Sequence, residues 1–140
     1  MRILAVDYGD VRTGLAVCDV TETLSSPYSV IREKNADVLI QKIERIVIDE
    51  KISEIVVGNP LNTNNTRGVR SEICEQFAAF LKERVDVPVL MWDERYSTEI
   101  AHTLLSATNK KGKKRKDVID SAAAAVILEN YLAYRRNRKL

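Results

Sequence analysis

Long apolar runs are missing from this chain. No stretch approaches the ~18 residues that a membrane span requires, and no charged-then-apolar leader follows Met1. A soluble, cytoplasmic protein with no membrane partner is the expectation. Cysteine is also scarce. Cys18 and Cys74 fall in apolar segments without C-x-x-C spacing, which argues against a disulfide framework or a zinc knuckle and reads as two buried thiols in a reducing compartment. Histidine occurs once, as His102, with no Cys or second His near it, so a zinc site or an imidazole-based triad lacks its materials. Internal repeats are absent. The length of 140 residues fits one domain, spanning 1–140, and is short for two lobes enclosing a cleft.

Charge is present in quantity but unevenly placed. Net charge is +2, yet residues 110–140 hold ten Lys/Arg against three acids, which is +7 and leaves the remainder near −5. The dense part is Lys110, Lys111, Lys113, Lys114, Arg115 and Lys116, with a second cluster at Arg135, Arg136, Arg138 and Lys139. By itself such a run reads as a solvated loop and tail. Beside an acidic site it suits a polyanion whose phosphates release counterions on binding.

Three short strands are expected first: Arg2 to Val6, Gly14 to Cys18 and Ser29 to Arg32. Their connections are too short for helical crossovers, which predicts an antiparallel meander. Leu39, Ile43, Ile46 and Val47 then recur at helical spacing over Ala36 to Glu50, followed by a strand at Glu54 to Gly58. Val69, Ile73, Phe77, Phe80 and Leu81 form one stripe of a second helix, and the continuous apolar run Val87 to Trp92 suits a parallel strand. A short helix capped by Ser97 and a long final one from about Asp117 to Arg135 complete the pattern, with Asn109 to Lys116 as a basic breaker between them. The order βββαβαβα describes an α/β domain with a mixed five-stranded sheet flanked by helices.

The residues that could carry chemistry sit where these elements end. Asp7 closes the first strand before Gly9, whose missing side chain would let a metal or phosphate come near the backbone. The bland alternative is a simple Asp-Gly turn. Asp93 and Glu94 follow the fifth strand, at the carboxyl edge where open α/β sheets bind ligands. Successive strand residues point to opposite faces, so one of the two is expected to reach a metal, and Glu94 has the longer reach. A strand lying between this one and the first would add a second spacing of ~4.8 Å to that distance. Arg95 could meet a phosphate, or pair with its acidic neighbours. Asp120 lies near the start of the last helix, ahead of the small residues Ala122 to Ala125, with helix capping as its alternative. The Gly58-Asn59-Pro60-Leu61-Asn62 loop offers backbone amides and Asn62 to a phosphate or sugar. Two-metal phosphodiester hydrolysis asks for carboxylates holding hard cations ~4 Å apart.

Four segments together resemble the YqgF family, also called RuvX, of Holliday-junction resolvases and ribosomal-RNA-maturation nucleases. They are Val6-Asp7-Tyr8-Gly9 through Gly14-Leu15-Ala16-Val17, Gly58 to Asn62, Asp93-Glu94-Arg95-Tyr96-Ser97-Thr98, and Asp120-Ser121-Ala122-Ala123 through Glu129. The resemblance implies an RNase H-like fold with strand order 3-2-1-4-5. It also implies an acidic triad of Asp7, Glu94 and Asp120 that binds Mg²⁺ or Mn²⁺, in a cytoplasmic nuclease acting at the 5′ end of pre-16S ribosomal RNA or on branched DNA. Asn65 stands where the family loop commonly has glycine, and Asn59 where it has an apolar residue. Two other readings remain open. One is a nucleic-acid-binding ribosome-assembly factor with weak or vestigial catalysis. The other is the actin and sugar-kinase type of ATPase, which shares the Asp-x-Gly turn but needs two lobes. A four-way junction substrate would favour a two-fold homodimer.

Overall fold

The structure, a computed structural model, describes residues 1–22, 24–60, 68–93 and 112–138, with the backbone alone described at 112–120 and 137–138. The chain opens with β1 (Ile3–Asp7), β2 (Arg12–Cys18) and β3 (Ser25–Arg32), paired in sequence as the expected antiparallel meander. Strand β3 begins four residues earlier than its apolar run indicates, because the ladder to β2 recruits Ser25, Ser26 and Pro27 as well. Leu15 faces Ser29 and Ala16 faces Pro27, so Tyr28 is an extra, bulged residue. Pro27, lacking an N–H, is tolerated there because β3 is the sheet's outer strand.

Helix α1 (Ala36–Asp49) starts at Asn35, whose Oδ1 accepts from the amides of Asp37 at 2.9 Å and Val38 at 3.3 Å. It stops in a Schellman turn: Lys51 adopts φ 53°, its amide reaches the Ile48 carbonyl at 3.3 Å, and the Ile52 amide reaches Val47 at 2.9 Å. Ile52 is thereby buried.

Strand β4 (Glu54–Asn59) adds parallel to β1, helix α2 (Val69–Arg84) crosses back, and β5 (Val89–Asp93) adds parallel to β4. On α2 the buried face is Ser71, Cys74, Phe77, Ala78 and Leu81. Val69 and Phe80, expected inside, are 76% and 58% exposed. The small residues let α2 lie close over the sheet, and that rotation carries Val69 and Phe80 outward. The last helix, α3, runs Gly112–Arg138, five residues earlier than expected at its start. Lys and Arg are good helix formers, so the basic run Lys113 to Lys116 extends the helix rather than breaking it. The predicted helix after Ser97 lies outside the described residues.

The sheet order is β3-β2-β1-β4-β5. Alternation along its strands feeds two cores. Leu4, Val6, Leu15, Val17, Ile55 and Val57 face α1 and α2, while Ile3, Ala5, Ala16, Cys18 and Val56 meet Ala124, Ile127, Leu128, Tyr131 and Leu132 of α3. This is the mixed five-stranded RNase H-like arrangement. Both cysteines are buried thiols. Among the described residues no helix is long and apolar enough to cross a membrane.

Candidate functional site

Strands β1, β4 and β5 run in the same direction, with Val6 beside Val57 and Val57 beside Met91. Their carboxyl ends therefore share one edge of the sheet, and Asp7 is half-buried at that edge. Alternation carries Asp7 onto the face of Ile3 and Ala5, which is the face that α3 covers. Trp92 packs in that same layer, whereas Met91 packs in the other. Asp93 follows Met91 in phase and so takes the α1/α2 face, away from Asp7. Strand β4 does lie between β1 and β5, which sets their backbones ~10 Å apart.

The turn leaving Asp7 is held from several sides. The hydroxyl of Thr13, wholly buried, accepts from the Gly9 amide at 3.3 Å and lies 3.4 Å from the Gly9 carbonyl as its donor. A Cβ on Gly9 would overlap the Arg12 carbonyl oxygen. The space left by the absent side chain is thus filled by the chain itself, which gives this glycine a packing reason distinct from approach by a phosphate. The Tyr8 ring stacks on Phe77, centroids 4.1 Å apart and planes within 8°. Arg70 lies with its guanidinium carbon 5.3 Å from the centre of the Tyr8 ring, donates to the Tyr8 carbonyl, and pairs with Asp10 Oδ1 at 2.7 Å. Burial raises the pKa of Tyr8, with Arg70 opposing the shift. Burial works against the Arg70 charge, but the bond to Asp10 leads the influences that together keep it above its ordinary value. One residue along, buried Ser71 donates from Oγ to Asn59 Oδ1 at 2.5 Å, at the end of β4. The first turn of α2 therefore grips the exits of both central parallel strands.

Sequence reasoning gave no role to Arg70, Ser71, Tyr8 or Asp10. Arg70 and Asp10 are 60 positions apart, and no local pattern links them. Phe77 was visible as a member of a helical stripe, though its role as a platform for Tyr8 was not.

Of the expected site residues, Asn62, Glu94, Arg95, Lys110 and Lys111 lie outside the described residues. Lys113, Lys114, Arg115, Lys116 and Asp120 lie on the opening turns of α3, where only the backbone is described. Helical spacing puts position 120 one turn before Ala124 and position 116 one turn earlier again. No group of three metal-ligating side chains occurs among the described residues. The expected donor set is all carboxylate, which suits hard divalent cations such as Mg²⁺ or Mn²⁺. Within the second basic cluster, Arg135 has structural work. Arg135 bonds Glu22 at 2.9 Å and Glu54 at 3.3 Å, at the opposite end of the sheet from Asp7.

The chain is similar to known proteins over nearly its whole length. A protein of Halothermothrix orenii, named as a candidate pre-16S rRNA nuclease, is 39% identical over 134 residues, 96% of each chain. One of Geobacillus kaustophilus with the same name is 40% identical over 138 residues, 97% of this chain and 100% of that one. The fold is similar to that of T. thermophilus RuvC solved with a Holliday junction substrate, at TM-score 0.64, 13% identity, and coverage of 98% of this chain and 96% of that chain. The family model described as "RuvX: Holliday junction resolvase" matches residues 1–134, and with relatives this similar over nearly their whole length, the chain belongs to the RuvX family.

Proposed function

We propose that this protein is a metal-dependent endonuclease acting on structured nucleic acid in ribosome biogenesis, with the 5′ end of pre-16S ribosomal RNA as its substrate. The carrying observation is Asp7, held at the carboxyl end of the strand shared by both halves of the sheet, by a turn braced on every side. Residues 1–140 act as one domain in this reading, in the cytoplasm.

Asp7, Glu94 and Asp120 are the residues that would hold Mg²⁺ or Mn²⁺. Such ions, when bound, polarise phosphodiester oxygens and lower the pKa of water. The phase of β5 supports Glu94 over Asp93, since Asp93 falls on the face away from Asp7. The spacing along α3 supports Asp120, one turn ahead of the wholly buried Ala124. In this reading Lys110, Lys111, Lys113, Lys114, Arg115 and Lys116 are the residues that would neutralise backbone phosphates, with Gly9, Asn62 and Arg95 as the further expected nucleic-acid contacts.

The test incubates purified protein with Mn²⁺ and a panel of precursor ribosomal RNA, single-stranded RNA and four-way DNA junctions, with product mapping. Cleavage of the precursor, lost in Asp7→Asn while folding is kept, is the expected result. An Asp7→Asn protein with full metal-dependent activity would sink the reading. Preference for the four-way junction would replace the RNA substrate and call for a two-fold dimer. Binding without turnover by any substrate would make the protein an assembly factor instead.

A further inference from the structure

We propose that Arg70 is a positioning residue for Asp7, acting through Tyr8 and Asp10, and that the first turn of α2 is in this way part of the active site. The inference rests on the reading of Asp7 as a metal ligand.

Tyr8 is the residue next to Asp7, so holding its carbonyl and ring restrains the backbone from which the Asp7 carboxylate leaves β1. Three contacts do this from α2 alone: Arg70 to the Tyr8 carbonyl, the Arg70 guanidinium against the Tyr8 ring, and Phe77 stacked on that ring. The second arm of the guanidinium holds Asp10 at 2.7 Å, on the far side of Gly9. One planar, always charged fork thus spans the turn from residue 8 to residue 10. Lysine, a single point donor, could not make both bonds with one geometry. The Asp10 carboxylate is 77% exposed and Arg70 is 36% exposed, so the pair contributes little as a surface ion pair. Its value lies in orientation. Ser71 applies the same logic to the next strand, bonding Asn59 where β4 ends.

A group that orients a metal-binding carboxylate changes metal affinity and turnover together, by about 10- to 100-fold when removed. It leaves the affinity for substrate almost untouched, because it makes no contact with it.

The experiment compares full-length wild type, Arg70→Ala, Arg70→Lys and Asp7→Asn, using the substrate cleaved fastest in the panel above. It measures kcat and KM, Mn²⁺ binding by isothermal titration calorimetry, and fold by circular dichroism. Arg70→Ala should lower kcat about 10- to 100-fold with KM within about 3-fold, and weaken Mn²⁺ by a similar factor. Low, non-denaturing guanidinium should restore part of its kcat, and none to Asp7→Asn. Arg70→Lys should fold and fall between wild type and Arg70→Ala on both measures. Wild-type kcat and Mn²⁺ affinity in Arg70→Ala overturn the proposal, and so does a rise in KM alone, which would make Arg70 a substrate contact. If Arg70→Ala fails to fold, Arg70→Lys decides: wild-type values there mean a purely structural role. An active Asp7→Asn fells the functional reading, whereas an inactive Asp7→Asn beside a normal Arg70→Ala fells this inference alone.

Discussion

The phenol of Tyr131 donates to Glu54 Oε1 at 2.6 Å, a buried contact between residues 77 positions apart that seats α3 on the start of β4. Arg135 completes the arrangement by binding the second oxygen of Glu54, and the guanidinium lies 5.7 Å from the Tyr131 ring centre. The carboxylate is 8% exposed, so losing a donor leaves it under-solvated. Tyr131→Phe should therefore destabilise the protein by about 1–3 kcal/mol, read from urea unfolding at neutral pH.

The same contact gives an alkaline limb to stability. Burial, then the hydrogen bond to Glu54, raise the Tyr131 pKa above its ordinary 10.0. The folded state thus holds the phenolic proton more tightly than the unfolded chain. The associated stability is complete below pH 10.0 and is lost as pH rises from there through the raised value. Unfolding measured across that range should show stability falling with pH in wild type, and the slope should be shallower in Tyr131→Phe. An identical slope in the two proteins would contradict this assignment.

Lys51 occupies the left-handed position of the Schellman turn with φ 53°, a conformation that costs an L-residue about 1–2 kcal/mol. Glycine bears no such cost. Lys51→Gly should raise stability by about 1 kcal/mol, seen as a higher urea midpoint with unchanged slope.

Gly9 has no room for a methyl group, because the Arg12 carbonyl oxygen already occupies the place a Cβ would take. Gly9→Ala should open the turn, lowering stability by about 1–3 kcal/mol. On the role proposed for Asp7, nuclease activity should fall in step, since the turn begins at that residue. A Gly9→Ala protein with wild-type melting temperature and turnover would show that the turn is more compliant than its packing indicates.

Elements whose signal is local were legible in the chain. Ile3 to Val6, Val56, Val57 and the Leu39–Ile43 stripe announce themselves by apolar run or period, and the spacing of strands and helices carried the sheet's mixed character. Boundaries set by partners were not. Ser25 to Pro27 are strand only because β2 offers them a ladder, and the Lys113 to Lys116 run is helix although its charge suggested a break. Val69 and Phe80 read as core because hydrophobicity ignores helix rotation, which Ser71, Cys74 and Ala78 decide. At the site, Asp7 was visible from its place at a strand end. The proposed preference for Glu94 over Asp93 rests on the phase of the pleat, which is read from the layers of Met91 and Trp92 and not from the sequence. Arg70 left no trace, since its partners are assembled by the fold.

The bulge at Tyr28 and the proline beside it also bear on how this molecule can meet another. An outer strand with a bulge and a residue lacking an amide offers a foreign strand an interrupted ladder. Strand addition along the whole length of β3 is therefore disfavoured, because the bulge and the proline interrupt the row of outward amides near the strand's middle.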